Sequence, residues 1–261
     1  MDSNLKEYPY EFDFIELLAI SWNILTKNYN NIFKISFISY LTYNIILYII
    51  PNIDYQDLYT FHIRSSGMLG FYLVLIFLLT SMSNMPMIVF TKSVIFNDEI
   101  DIKSTFIKLF IIIKREFSIN ILTVLVFSLC LFIYISIALI EPIFFILTFI
   151  PVFVIIVFLS FSVIAFIVKD LNLWKSINYS YQIVRGRWLK VFLYMVIMYA
   201  LSVLTTIVVS LPYSFFMNNF ISEIIFNTIV NIFTSYFVIL STVLFINFDD
   251  TKLNEQQYTR S

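Results

Sequence analysis

The side chains that could do chemistry are few and mostly isolated. The chain has one histidine, His62, and one cysteine, Cys130. His62 shares a short polar stretch with Asp54, Asp57 and Arg64, whose spacing matches no metal-binding motif. A single cysteine allows neither an intrachain disulfide nor a cysteine-based metal site. We therefore expect no metal and no cofactor, and we interpret the His62 stretch as a solvated loop.

Catalysis inside the apolar segments is also disfavoured. Ionisable residues within a membrane are costly and usually functional, yet the middle thirds of the apolar segments hold none. Phosphate-binding glycine loops, nucleophile elbows and paired carboxylates are absent from the sequence. We therefore predict that the protein is not an enzyme. The net charge of −1 also gives no indication of a nucleic-acid partner.

The composition is that of a membrane protein. Hydrophobic residues make up 60% of the 261 residues and charged residues 13%, against about 25% charged in soluble domains. A spanning helix needs about 20 apolar residues, and six segments qualify. They are Ile32–Ile50, Leu69–Ile95, Phe117–Ile140, Ile143–Val168, Trp188–Phe216 and Ile221–Phe248.

The distribution of lysine and arginine predicts the orientation. With the N-terminus inside, 15 of the 16 basic residues lie in the inner segments, and the outer loops hold only Arg64. Cytoplasmic loops carry such an excess of positive charge. The acidic, polar N-terminus does not resemble a cleaved signal. We expect a multi-pass protein of the cell membrane with both termini in the cytoplasm.

Each inner segment contains an amphipathic helix just before a predicted transmembrane hairpin. Asp13 with Glu16 predicts a capping-box start for the first helix, and Asp170 is the predicted N-cap of the third. The apolar faces follow spacings of three and four: Ile15, Leu18, Trp22, Leu25 and Tyr29; Phe106, Leu109, Phe110, Ile113 and Phe117; Leu173, Ile177, Tyr181, Val184 and Trp188.

These features define the predicted fold. It is an all-α polytopic integral membrane protein with six transmembrane helices arranged as three hairpins, each preceded by a cytoplasmic interfacial amphipathic helix. We treat 1–261 as one membrane domain. The pseudo-repeats cover about 12–97, 98–169 and 170–250, and 251–261 is a polar cytoplasmic tail.

Two sets of candidate binding residues follow from this arrangement. Asn227 and Asn231 lie one turn apart and form a candidate buried polar stripe, which we interpret as helix-packing contacts. Basic and aromatic residues near the predicted inner boundary are candidate contacts for lipid headgroups. They are Lys27, Lys34, Lys108, Lys114, Arg115, Lys175, Arg185, Arg187, Trp188 and Lys190.

Three stretches carry a resemblance to a known family: FDFIELLAISWNILTKNYNNIFKISF, LWKSINYSYQIVRGRWLKVF and VLFINFDDTKLNEQQ. They resemble the membrane domain found ahead of some bacterial glycerophosphoryl diester phosphodiesterases, and related stand-alone six-span bacterial proteins. The resemblance implies a basic Arg185–Lys190 entry into one span and a Phe248-Asp249-Asp250-Lys252 end to the last. The sequence ends 13 residues after Phe248, without the catalytic barrel, so phosphodiesterase activity is not expected.

Two functions remain open from the sequence. The first is a non-enzymatic membrane scaffold or accessory protein that binds membrane lipids or a cytoplasmic or membrane partner protein through its amphipathic helices. The alternative is a permease-like or immunity component that handles a hydrophobic or amphipathic substrate, such as a lipid or an antimicrobial peptide.

Overall fold

The computed structural model describes residues 12–49, 84–96, 103, 105–108, 154–213 and 220–258. Every regular element in these ranges is a helix, which confirms the all-α prediction for the described part of the chain. The predicted third span, most of the second span and most of the second amphipathic helix lie outside the described residues.

The helices are numbered here in chain order. Residues 105–108 are also helical but too few to number. The numbered helices are α1 (Phe14–Lys27), α2 (Tyr29–Ile49), α3 (84–95), α4 (154–159), α5 (Ser162–Val168), α6 (Leu173–Val184), α7 (Trp188–Tyr213) and α8 (Phe220–Tyr258).

Helix α1 begins where the sequence predicts. The backbone N–H of Asp13 donates to Oε2 of Glu16 (3.0 Å). This bond pairs an N–H group that has no acceptor within the helix. At the other end, both the backbone N–H and the side-chain amide of Asn28 donate to the carbonyl of Ile24. The chain then turns directly into α2.

Helix α8 is the centre of the described structure. It contacts α1, α2, α5, α6 and α7, and every residue from 242 to 249 is buried. Ring contacts within this segment join Phe245 to Phe161 (5.8 Å between centroids) and Phe248 to Tyr194 (6.4 Å). The 242–249 segment of α8 is therefore the core against which the other helices are placed.

Two helices of the described ranges are long and apolar enough to cross a membrane. Their apolar windows are Trp188–Val209 in α7 and Thr228–Asp250 in α8. Most of the α7 window is exposed rather than buried, unlike the core helix of a soluble protein. At about 1.5 Å per residue, the 39 residues of α8 extend about 58 Å, so α8 continues well beyond a hydrocarbon core of about 30 Å.

The predicted fourth span is not one continuous helix within its described part. Helices α4 and α5 are separated at Ser160 and Phe161. Ser160 and Ser162 each donate a side-chain hydroxyl to a carbonyl three residues earlier, at 2.8 and 2.7 Å. Such bonds compete with the helical ladder. The open carbonyl of Phe158 and N–H of Phe161 both bond to Oγ of Ser180 in α6, at 2.7 and 3.2 Å.

Candidate functional site

Helices α1 and α6 bury the same positions when counted from their N-caps. The N-cap of α1 is Asp13, and that of α6 is Asn172, whose side chain accepts from the N–H of Lys175 (3.0 Å). In both helices the fourth, eighth, eleventh and twelfth residues after the cap are buried, which places one narrow face against the core. These residues are Leu17, Ser21, Ile24 and Leu25 in α1, and Ser176, Ser180, Ile183 and Val184 in α6.

The predicted N-cap of α6 at Asp170 is wrong. Asp170 has a φ of 54°, in the left-handed region, whereas an N-cap takes extended backbone, as Asn172 does. The left-handed conformation is one that Asp tolerates better than most residues. Asp170 therefore turns the chain between α5 and α6, and the helix begins two residues later than predicted.

A second apolar stripe, which runs along each helix to the first residue of the next one, stays exposed. It occupies the second, ninth and sixteenth positions after the cap, and its side chains are 42–78% exposed. We call it the outer stripe. Its members are Ile15, Trp22 and Tyr29 for α1, and Trp174, Tyr181 and Trp188 for α6.

The structure divides the apolar face predicted for each helix. Leu25 and Val184 turn towards the core, while Trp22 and Tyr181 of the same predicted faces are exposed. The apolar face predicted for each helix is wide enough to contact two different environments. One edge packs on protein, and the other edge presents aromatic side chains outward.

Each helix is tied to its neighbours by hydrogen bonds and ring contacts. For α1, the N–H of Phe12 donates to Oδ1 of Asn247 (3.2 Å), and the hydroxyl of Tyr236 donates to the carbonyl of Leu18 (3.2 Å). The Trp22 ring meets Tyr236 edge-on at 6.0 Å between centroids. The equivalent α6 residue, Tyr181, packs on Phe158 at 5.0 Å. The outer stripes are therefore held at fixed positions beside α8 and α4.

A buried carboxylate connects α6 to α8. Asp249 is only 3% exposed, and it forms a salt bridge with Lys169 and accepts a hydrogen bond from the Tyr179 hydroxyl. We call Lys169, Tyr179 and Asp249 the Asp249 cluster. A buried carboxylate needs such partners because its desolvation is costly. Because Asp249 is buried among its partners, the cluster links α6 to α8.

The Asp249 cluster changes the acidity of Tyr179. Burial raises the pKa of the Tyr179 hydroxyl well above its ordinary value, and the hydrogen bond to Asp249 and the charges of Asp249 and Asp250 raise it further. Folding therefore retains a proton that the unfolded chain releases above about pH 10. The stabilisation is complete below that pH and falls as the pH rises towards the pKa of the folded state.

We expect Tyr179→Phe to remove this part of the alkaline pH dependence. The free energy of unfolding of the wild type should fall more steeply above about pH 10 than that of the variant. Unfolding by SDS titration in detergent at pH 8 to 11 would measure both slopes. Tyr199→Phe, at an exposed site on α7, is the matched control and should keep the wild-type slope. Equal slopes for wild type and Tyr179→Phe would contradict this assignment.

Two further cations lie over aromatic rings beside the Asp249 cluster. The guanidinium carbon of Arg187 is 5.8 Å from the ring centre of Phe248, and Nζ of Lys190 is 5.7 Å from that of Tyr194. Gly186 makes the turn before them with a φ of +89°, and a Cβ there would meet nothing within 4 Å. The basic entry into α7 is therefore a tight turn with open space beside its glycine.

The structure places most of the predicted headgroup residues at the helix ends. Lys27, Lys34, Lys108, Lys175, Arg185 and Trp188 are exposed, and Arg187 and Lys190 are half-buried. Arg185 is the C-cap of α6, Lys175 lies in its first turn, and Trp188 begins α7. Lys114 and Arg115 lie outside the described residues, as do Asp54, Asp57, His62 and Cys130.

The predicted polar stripe on α8 is described only in part. Asn231 is half-buried, and its carbonyl accepts from Oγ of Ser235 (2.8 Å). The side chain of Asn227 lies outside the described residues. Ser235 also meets Ser36 of α2, with 2.7 Å between the hydroxyl oxygens. Hydrogen bonds of this kind are typical of polar residues that join neighbouring helices.

Sequence reasoning missed the joining of Lys169, Tyr179 and Asp249. In the sequence, Asp249 is marked only by the resemblance, and Lys169 only as one of the inner basic residues. A usable signal is that Lys169 and Asp249 each directly follow a long apolar run. Opposite charges at the ends of two apolar helices become partners when those helices pack together.

Comparison with known proteins gives no relative. No protein-family model, curated protein or solved structure matches the chain. The resemblance to the phosphodiesterase membrane domain therefore stays a prediction.

Proposed function

We propose that the protein is a non-enzymatic integral membrane scaffold or accessory protein. Its amphipathic helices lie in the cytoplasmic interface of the cell membrane and bind lipid or a partner protein. The observation that carries this proposal is the shared design of α1 and α6. Each packs one face on protein and leaves a stripe of large apolar, mostly aromatic side chains exposed.

Physical chemistry favours a membrane boundary for these stripes. Tryptophan and tyrosine concentrate where an apolar environment meets water, because their rings are apolar and their N–H or O–H groups are polar. On α1, Asn23 and Lys27 are exposed on the side away from the outer stripe, and on α6 Gln182 is placed in the same way. An interfacial helix needs such a division into apolar and polar sides.

The tethering of α1 and α6 suits a scaffold. The bonds from Phe12 to Asn247 and from Tyr179 to Asp249 attach both helices to the same 242–249 segment of α8. Because the Thr228–Asp250 window of α8 is a candidate membrane span, both helices are anchored to one transmembrane element. The six-span, three-hairpin topology with both termini inside belongs to this proposal and extends it to the rest of the chain.

Nitroxide labels at adjacent positions test the interfacial placement. In a Cys130→Ser background, cysteine is introduced in turn at Trp22, Asn23, Tyr181 and Gln182, spin-labelled, and reconstituted in liposomes. We expect labels at 22 and 181 to be more accessible to oxygen than to a water-soluble nickel complex, and labels at 23 and 182 to show the reverse. Water accessibility that is equal at all four sites would show that the helices do not lie in the interface.

Purification from native membranes in mild detergent tests binding. We expect a phospholipid or a partner protein to be recovered with the chain in a fixed ratio. The chain recovered alone, with neither in a fixed ratio, would contradict a scaffold or accessory role.

A further inference from the structure

The stretches around the two helices of shared design carry opposite net charge. The α6–α7 corner, residues 169–190, holds five basic residues and one acidic residue, a net charge of +4. The equivalent stretch around α1, residues 10–31, holds one basic and three acidic residues, a net charge of −2. The two helices thus share a burial pattern but differ in the net charge around their exposed aromatic side chains.

The cations of the α6–α7 corner lie next to its outer stripe. Arg185 follows Tyr181 by one helical turn and donates its N–H to the Tyr181 carbonyl (2.8 Å), and Lys175 directly follows Trp174. Both cations are exposed. Of the acidic side chains near this corner, Asp170 is exposed in the turn before α6, Asp250 is half-buried, and Asp249 is buried in its bonds with Lys169 and Tyr179. The surface around Trp174, Tyr181 and Trp188 thus carries a net positive charge.

We infer that the α6–α7 corner binds anionic phospholipid headgroups in preference to zwitterionic ones, whereas α1 has no such preference. The inference rests on the proposed function, since it requires the outer stripes to lie in the membrane interface. Basic residues beside an anionic lipid surface gain electrostatic attraction, and the aromatic side chains hold the corner at headgroup depth. The turn at Gly186, between Arg185 and Arg187, has no atom within 4 Å of where a Cβ would lie.

Tryptophan quenching by brominated lipids tests this preference directly. The chain has three tryptophans, all in outer stripes, so two full-length proteins each keep one: Trp188 alone (Trp22→Phe, Trp174→Phe) and Trp22 alone (Trp174→Phe, Trp188→Phe). Each is reconstituted in bilayers that contain brominated phosphatidylglycerol or brominated phosphatidylcholine at the same mole fraction. We expect phosphatidylglycerol to quench Trp188 severalfold more than phosphatidylcholine does, and both to quench Trp22 equally.

Removing the exposed positive charges tests whether electrostatic attraction causes the preference. Lys175→Gln with Arg185→Gln, placed in the Trp188-only protein, should abolish the excess quenching by phosphatidylglycerol and keep the basal quenching. An excess that is equal at Trp22 and Trp188, or that persists in the double variant, would overturn the headgroup preference alone. Absence of quenching at both tryptophans by either lipid would overturn the interfacial placement, and the preference with it.

Discussion

Replacing Phe248 by alanine is expected to destabilise the protein by about 4 kcal/mol. Phe248 is fully buried. Its ring contacts Phe161 at 6.1 Å and Tyr194 at 6.4 Å between centroids, and the Arg187 guanidinium lies over it. Alanine would leave a cavity where α5, α7 and α8 meet, and Arg187 would lose the ring beneath its charge.

Phe233 provides the matched control for this prediction. It lies on the same helix but is 40% exposed, so Phe233→Ala should cost less than about 1 kcal/mol. SDS titration in detergent, followed by circular dichroism, would measure both free energies of unfolding. Similar losses for the two variants would show that the 242–249 segment of α8 is not the core of the described structure.

Removing the carboxylate of the Asp249 cluster is expected to have the second largest effect. Asp249→Ala should destabilise the protein by about 3 kcal/mol, the low end for breaking a buried ion pair, because Lys169 keeps contact with solvent. It also leaves the Tyr179 hydroxyl without its acceptor. Since Asp249 connects α6 to α8, proteolysis in the 169–187 region should quicken as well.

Asp170→Asn is the matched control for Asp249→Ala. Asp170 is exposed and follows Lys169 directly, and asparagine tolerates its left-handed backbone equally well. We expect a change of less than about 0.5 kcal/mol and an unaltered proteolysis rate. A larger loss for Asp170→Asn than for Asp249→Ala would place the important charge in the turn instead of the buried cluster.

Local sequence patterns predicted the helical class of the described residues and the start of α1. The start of α1 at Asp13 and Glu16 is confirmed, because capping depends on residues three apart in the chain. The apolar windows of α7 and α8 are also confirmed as long enough to cross a membrane, because hydropathy accumulates along one continuous segment. The sequence does not distinguish two nearby residues that are both suitable N-caps. For α6 the N-cap is Asn172 and not the predicted Asp170. Capping requires extended backbone, which residue type alone does not provide.

By itself, the sequence determined that the chain is apolar, that its described part is helical, and that basic residues gather near Arg185. These properties depend on side chains a few residues apart. Only the tertiary structure decided which edge of each amphipathic face is buried, because that choice depends on which helix packs against it. It also decided that Asp249 pairs with Lys169 and Tyr179, the latter 70 positions away. Such partners meet only after α5, α6 and α8 have packed, so no local spacing records them.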